Sequence, residues 1–435
     1  MTIEKIYSEA IKRINDLLQD AGGIALGFHS VVDGLVERST PLFRELMEKS
    51  SINVPDEPPL SISSREDFLK GFLYSFSEGK ALQLMIDSQE VKEWIESIFG
   101  SGVKKLGGTS ANMALALSHF GFRDVLVYIY PQVKDLSSLF PKLENLWTID
   151  MNGNLSRPWE VNFGKRLDAI HWIFEFKEGE SLKVDGVEIV CPRSNRYIAS
   201  WNPVNSKLKV SETFKEVFPN LSERYGKFII AGFHIMRDEY PDGETVEERM
   251  EELAEFLKLL KQRGVKIHIE LASIRRNRVR RALLETVMKH ADSVGMNEME
   301  LFWIAGDMDV SDEKIKKGEA VAVEKAIQKL MERTGVGRVH FHTLGYYMLV
   351  KEGADGELLG LASAALAAAY LAHTGRRPHF KDLEKVLNLP VVKENLFRVE
   401  KDAVILPTKI SPNPKRTVGL GDTISSIAFA LSDIS

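Results

Sequence analysis

Apolar positions along this chain follow two rhythms in turn. GGIALGFHSVVDG (22–34) is a nearly unbroken apolar run with a polar end, which predicts a strand, and GTSANMALALSHFG (108–121) has helical spacing. DVLVYIYP (124–131) predicts the next strand. The alternation resumes at KFIIAGF (227–233), then helix ETVEERMEELAEFLKLLKQRG (244–264), strand VKIHIEL (265–271), helix RRALLETVMKHA (280–291) and strand VHFHT (339–343). Strands alternating with helices build βαβ units, so the pattern predicts an α/β fold with a mostly parallel sheet flanked by helices. Two stretches break it. Residues 50–65 are rich in Pro and Ser, and 151–206 hold short β-like runs, HWIFEFKEGE and SLKVDGVEIV, the second folded at Asp185-Gly186 as a hairpin. These predict a smaller β-rich lid of residues 37–106 and 151–206, set into a large α/β body of 1–36, 107–150 and 207–435. The alanine-rich LASAALAAAYLAHTG (361–375) predicts a closely packed core helix.

Composition narrows the functional classes. The 435 residues, 44% of them hydrophobic, suffice for two domains or one large domain with an insertion. A net charge of -5 gives no overall basic character, so no nucleic-acid partner is expected. Cys191 is the single cysteine, which excludes an intrachain disulfide and a cysteine-based zinc cluster and suits the cytoplasm. The N-terminus alternates charged and apolar residues, and no 18-residue apolar stretch is expected, hence neither secretion nor a membrane span.

Several short motifs carry candidate chemistry. In RTVGLGDTISS (416–426) two glycines permit a tight turn whose amides converge ahead of a helix. Asp422 then reads either as a helix cap or as a base that takes a proton from a substrate hydroxyl, while Gly419, Leu420 and Gly421 hold a transferring phosphoryl group through their backbone. In VKIHIEL, period two sets Lys266, His268 and Glu270 on one face, with Glu270 at the carboxyl end where open α/β sheets bind ligands. Glu270 reads as a magnesium ligand or as a solvated strand end. Asn297 and Glu300 have the spacing of a capping box; Glu298 or Glu300 also suits the ordering of Mg²⁺ and its waters. Gly107-Gly108 precedes a helix whose first turn offers Asn112, and Asp33 ends its strand; both suit hydroxyl recognition, and both suit plain packing and turns. RRNRVRR (275–281) reads foremost as a solvated helix face.

Taken in order, these motifs resemble the ADP-dependent sugar kinases, the glucokinase and phosphofructokinase group of the ribokinase-like superfamily. The matching pieces are Asp33, Gly107-Gly108, His268-x-Glu270, Asn297-x-x-Glu300, HTLGYY (342–347) and TVGLGDTIS (417–425). The resemblance implies a ribokinase-like sheet with a smaller lid, and transfer of the β-phosphoryl group of ADP to a hydroxyl of a sugar or sugar phosphate, fructose 6-phosphate or glucose, giving AMP. It makes Asp422 the catalytic base, with Gly419, Leu420 and Gly421 as the anion-hole backbone. Glu270 and Glu300 organise Mg²⁺. Asp33, Gly107, Gly108, Asn112 and Arg196 meet the acceptor, and Asn297, His342, Thr343, Tyr346 and Val418 the nucleotide. Arg193 and Arg196 in CPRSNRYIAS are the candidates for an acceptor phosphate. The family pattern has Asn where this chain reads Phe28-His29-Ser30-Val31, and again where it has Thr109. GGTSAN also fits the ATP-dependent ribokinase type. That type and a non-catalytic nucleotide- or sugar-binding relative are the alternatives, and a monomer or small homo-oligomer is expected.

Overall fold

The computed structural model describes residues 2–50, 52–164 and 168–433, so that Ser51 of the Pro/Ser-rich stretch and 165–167 of the second inserted stretch lie outside it. Its larger layer is an eleven-stranded sheet. Seven neighbouring strands run parallel, in spatial order Arg338–His342, Ser293–Met296, Lys266–Glu270, Lys227–Ile230, Ile24–Gly27, Val125–Val127 and Leu146–Ile149. Antiparallel strands Tyr346–Lys351, Ala403–Pro407 and Arg398–Val399 extend one edge, and Leu155–Ser156 closes the other. Short apolar strands such as Phe228 to Ile230 are buried on both faces, as helices on both sides of a parallel sheet require.

Helix Leu358–Thr374 shows how one face is covered. Its alanines let it pack against helix Leu420–Ala430, with Ala362, Ala364, Ala365 and Ala367 fully buried. Against expectation, the segment Ala354–Thr374 is long and apolar enough to cross a membrane by length and composition, yet 83% of that window is buried inside the protein. Here the apolar run serves the core.

A second sheet of five strands has the order Leu82–Met85, Asn195–Trp201, Ile170–Phe176, Val31–Val36 and Val103–Gly107. Helices Ser39–Glu48, Arg65–Glu78 and Gln89–Phe99 contribute to one aromatic core with it, in which Phe43 stacks on Phe72 and meets Phe174 edge-on. The small unit is thus α/β, where the sequence pattern suggested β-rich. Hairpin Ser181–Val184 and Val187–Val190 turns at Asp185 and Gly186, both in the left-handed region. The single strand expected over 22–34 is two strands in two sheets. Ile24–Gly27 lies in the large sheet and Val31–Val36 in the small one, joined by buried Phe28, His29 and Ser30, so apolar character runs unbroken through the crossing. The helix expected over 280–291 is helix Asn277–Glu285 followed by a short 3₁₀ turn.

The basic run 275–281 is only partly a solvated face. Arg275 donates to the carbonyls of Pro58 and Pro59 (3.2 and 2.9 Å), Arg276 pairs with Asp238 (2.8 Å), and Arg280 forms a buried pair with Asp307. Arg237 meets Asp87 at 3.1 Å. Pro58, Pro59 and Asp87 belong to the segments of the small unit, so these contacts tie the two units together.

Candidate active site

Helix Leu420–Ala430 follows a turn whose backbone favours glycine. Gly419 is its N-cap with φ 79°, and no side chain caps the helix, so the first-turn amides of Leu420, Gly421 and Asp422 remain available to an anion. Asp422 stands in the first turn, one residue before Thr423, whose hydroxyl and amide both return to the Gly419 carbonyl (2.8 and 3.1 Å). The N-cap is Gly419 and Asp422 lies inside the first turn, so Asp422 does not serve as the cap that the sequence offered as one option. Crowding by protein pushes the Asp422 carboxyl up to about 7, opposed by the positive charges of Arg377, Arg196 and Arg416. A side-chain carbon placed on Gly419 would lie 3.8 Å from Asp422 Oδ2 and 3.9 Å from Arg416 Nη2, so both groups converge over this glycine.

The neighbouring strand Lys266–Glu270 delivers a second carboxylate. Glu270 is buried, not solvated; it accepts from the Ser425 hydroxyl, on the same helix as Asp422, and lies 3.2 Å from His268 Nε2. Arg338 donates to Ser293 Oγ (2.9 Å), which lies 2.8 Å from His268 Nδ1, so the imidazole bridges Ser293 and Glu270. Gly295 makes room for this cluster: a side-chain carbon there would stand 2.1 Å from Glu270 Oε2 and 2.6 Å from Ser425 Oγ.

Asn297 and Glu300 form the full capping box of helix Glu298–Asp307, with the Glu300 carboxylate held by the Asn297 amide (2.9 Å) and side chain (3.0 Å). Glu300 is buried and pushed up to about 8, and Glu270 is pushed well up, in each case by burial first and then by neighbouring acids, Asp422 among them. Three carboxylates close enough to repel one another form a place that a cation would relieve. Among the described residues no three His, Cys, Asp or Glu side chains gather into a direct metal cage. Mg²⁺ keeps most of its waters and takes one or two protein carboxylates, which Glu270 and Glu300 would supply.

The residues expected at an acceptor are linked to Asp422 through Arg196, on whose charge both Asp33 and Asp422 act. Asp33 is pushed up to about 7 by burial, with Arg196 pulling it down. Gly107 lies on the strand paired with that of Asp33, where a side-chain carbon would come within 2.2 Å of the carboxylate, and Gly108 (φ 92°) would press on the His29 carbonyl at 2.4 Å. Arg377 donates to Asn112 Oδ1 at 3.0 Å. Arg193, in contrast, is exposed and packs beside Gly79.

Several residues here carried no legible signal. His29 accepts from the Thr109 amide (3.1 Å), its ring meets His234 edge-on, and His171 lies 3.9 Å from Asp33. Burial keeps these imidazoles neutral, with His171 pushed down to about 3 and His234 to about 4. Arg377 follows Arg376 and Arg416 follows Lys415, both in loops, and no motif spacing marks either pair.

A groove of about 300 Å³ is lined by Glu298, Lys316, Thr343, Leu344, Gly345 and Lys393, among others. Thr343 reaches it, though its hydroxyl also closes the turn by accepting from the Gly345 and Tyr346 amides. Tyr346 is buried, donates to the Gly318 carbonyl at 3.1 Å, and lies 5.4 Å from the Lys393 ammonium. His342 sits between this region and the base helix, its Nε2 3.2 Å from where a side chain on Gly421 would begin. Asn297 is spent on its cap, and Val418 accepts from Arg416 Nε at 3.0 Å.

Residues 22–431 match the model of the ADP-specific phosphofructokinase/glucokinase conserved region. The chain is 31% identical to an ADP-dependent glucose/glucosamine kinase of Pyrococcus abyssi, over 99% of this chain and 98% of the relative. It is 26% identical to an ADP-specific phosphofructokinase of Thermococcus zilligii, over 96% and 97% of the two chains. Among solved structures it resembles an ADP-dependent kinase in complex with fructose 6-phosphate and ADPβS, with TM-score 0.84, 26% identity and coverage of 98% and 97%.

Proposed function

The chain belongs to the ADP-specific phosphofructokinase/glucokinase family and is an ADP-dependent sugar kinase, and we propose how its residues divide the work. The acceptor hydroxyl lies between Asp33 and Asp422, and its oxygen attacks the β-phosphorus of ADP. The bond from that phosphorus to the bridging oxygen breaks, AMP leaves with the electron pair, and the hydroxyl proton passes to Asp422. A carboxyl near pH 7 suits this role, since it is ionised often enough to accept a proton and basic enough to hold it.

The free amides at the start of helix Leu420–Ala430 and the Arg196 guanidinium face the charge that grows on the moving phosphoryl group. Glu270 and Glu300 are the side chains that would hold Mg²⁺, through its waters; when bound, the ion neutralises donor phosphate charge. Adenosine occupies the groove at Thr343 to Gly345. The small sheet and its helices close the cleft against water, which otherwise competes as acceptor. The observation that carries this reading is the joint placement of Asp422, an uncapped helix start and three arginines. It is tested by incubating the protein with Mg²⁺, a panel of sugars and sugar phosphates, and either ADP or ATP. AMP formed in step with one phosphorylated product supports the reading; no transfer from ADP to any acceptor, or transfer from ATP alone, contradicts it.

A further inference from the structure

Four neighbouring strands of the large sheet set His268, Ser293, Arg338 and Lys351 side by side in one row. Polar contacts run along it without a break. His268 Nδ1 lies 2.8 Å from Ser293 Oγ, which accepts from Arg338 Nη1 at 2.9 Å. Arg338 Nε donates to Glu357 (2.9 Å), and Lys351 donates to the other oxygen of that carboxylate (2.8 Å). At the opposite end of the row, His268 Nε2 stands 3.2 Å from Glu270, the carboxylate assigned to Mg²⁺. His268, Ser293, Arg338 and Glu357 are all buried.

The Arg338 guanidinium has a second hold. Its Nη2 donates to the Ala428 carbonyl at 3.3 Å, on the helix that carries Asp422. Lys227 donates to the Ala430 and Ser432 carbonyls (2.8 and 2.6 Å), so charged donors supply partners that the end of this helix lacks. Phe429 of the same helix stacks on the His268 ring, with centroids 4.7 Å apart and planes 28° from parallel. The imidazole is thus pressed on its face by the base helix and pinned at its edge by Ser293. Burying an ion pair such as Arg338 with Glu357 forfeits hydration that the attraction roughly offsets, so stability alone does not account for it. What the arrangement gains is fixed geometry. All three nitrogens of one guanidinium are engaged, on strand Ser293–Met296, turn Ala354–Glu357 and helix Leu420–Ala430.

We propose that Arg338 is a positioning residue for phosphoryl transfer: through Ser293 and His268 it holds Glu270, and through Ala428 it holds the base helix, so that the metal-side carboxylate and Asp422 keep one separation. The proposal rests on the assignment of Glu270 to Mg²⁺ and can fail while that assignment stands.

The test uses the full-length protein saturated with ADP, with Mn²⁺ as the probe in place of Mg²⁺. The signal is water-proton relaxation, which is enhanced when hydrated Mn²⁺ is held by protein. Wild type is expected to bind Mn²⁺ saturably. S293A cuts the row between Arg338 and His268, and it is expected to raise the Mn²⁺ dissociation constant about tenfold or more, the usual effect of removing a partner of a metal-holding side chain. R338K keeps the charge without the fork and is expected to weaken Mn²⁺ as well, and R338M more strongly. In all three, ADP binding without metal is expected to stay within about threefold, while the Mg²⁺ concentration for half-maximal activity rises in step with the Mn²⁺ constant. L257A, a cavity under helix Val246–Gln262, is the purely structural comparison: its urea midpoint is expected to fall while Mn²⁺ binding stays within about twofold of wild type. Should S293A not fold, R338K carries the same readouts. Mn²⁺ binding by S293A and R338K within about twofold of wild type, an equal loss in L257A, or a matching loss of metal-free ADP binding overturns the proposal. Absence of Mn²⁺ binding by wild type overturns it together with the Glu270 assignment, so the two failures are told apart.

Discussion

Glu270, at the carboxyl end of strand Lys266–Glu270, accepts a hydrogen bond from the hydroxyl of Ser425, three residues along the helix from Asp422. The contact is buried, and it fixes the carboxylate assigned to the metal side relative to the assigned base. Ser425→Ala removes the donor and leaves Glu270 with His268 alone. Outer contacts of this kind tune metal binding, so the Mg²⁺ concentration for half-maximal activity is expected to rise about tenfold or more. A Mg²⁺ activation curve that does not move would show that the tether has no such role.

Gly295 borders the same cluster. A methyl group there would stand 2.1 Å from Glu270 Oε2 and 2.9 Å from His268 Nε2, and neither group is at the end of a freely swinging chain. Gly295→Ala is expected to cost about 1–3 kcal/mol, the usual penalty of overpacking, read as a lower urea midpoint at unchanged slope. An unchanged midpoint would mean that the cluster relaxes at no cost.

Stability of the ligand-free protein carries the opposite signature from a salt-bridged carboxylate. Asp422 and Asp33 titrate near 7 and Glu300 near 8 when folded, all above their unfolded values near 4. The folded state therefore binds more protons across pH 4 to 8, and the stability these groups contribute is full below pH 4 and is lost as pH rises through 7 to 8. Asp422→Asn is expected to raise the ligand-free melting temperature at pH 8 and to lose that advantage toward pH 5. A variant that melts lower than wild type at pH 8 contradicts the raised Asp422 value.

The same group sets an acidic limb on catalysis. A base must be ionised, so kcat/KM is expected to fall below a midpoint near pH 7, a position that already includes the downward pull of Arg377, Arg196 and Arg416. Measured with donor and acceptor far below saturation, a profile flat from pH 8 to pH 5 is the contrary result.

What was legible in the sequence was what is local. The glycine turn before Asp422, the carboxyl-end position of Glu270 and the Asn297 to Glu300 capping box are set by residues within four positions of one another, so spacing alone marks them. The crossing at Phe28 to Ser30 escaped because both flanking strands are apolar and no turn residue separates them. The helices of the small unit were not legible because a Pro- and Ser-rich stretch directly precedes the helical spacing of Phe68, Phe72 and Phe76 and short β-like runs follow later in the same unit. Arg377 and Arg416 reach Asp422 only because helix Leu358–Thr374 and the loop after strand Ala403–Pro407 end beside the base helix, a relationship no short window contains.

The role of Asp422 is tested most directly by comparing Asp422→Asn with wild type for AMP formation from ADP, alongside ADP binding by calorimetry. Loss of the base is expected to lower kcat about 10³-fold or more while ADP affinity stays within about threefold. A variant that still forms AMP within about tenfold of the wild-type rate contradicts the assignment of the base, because transfer would then not depend on that carboxylate.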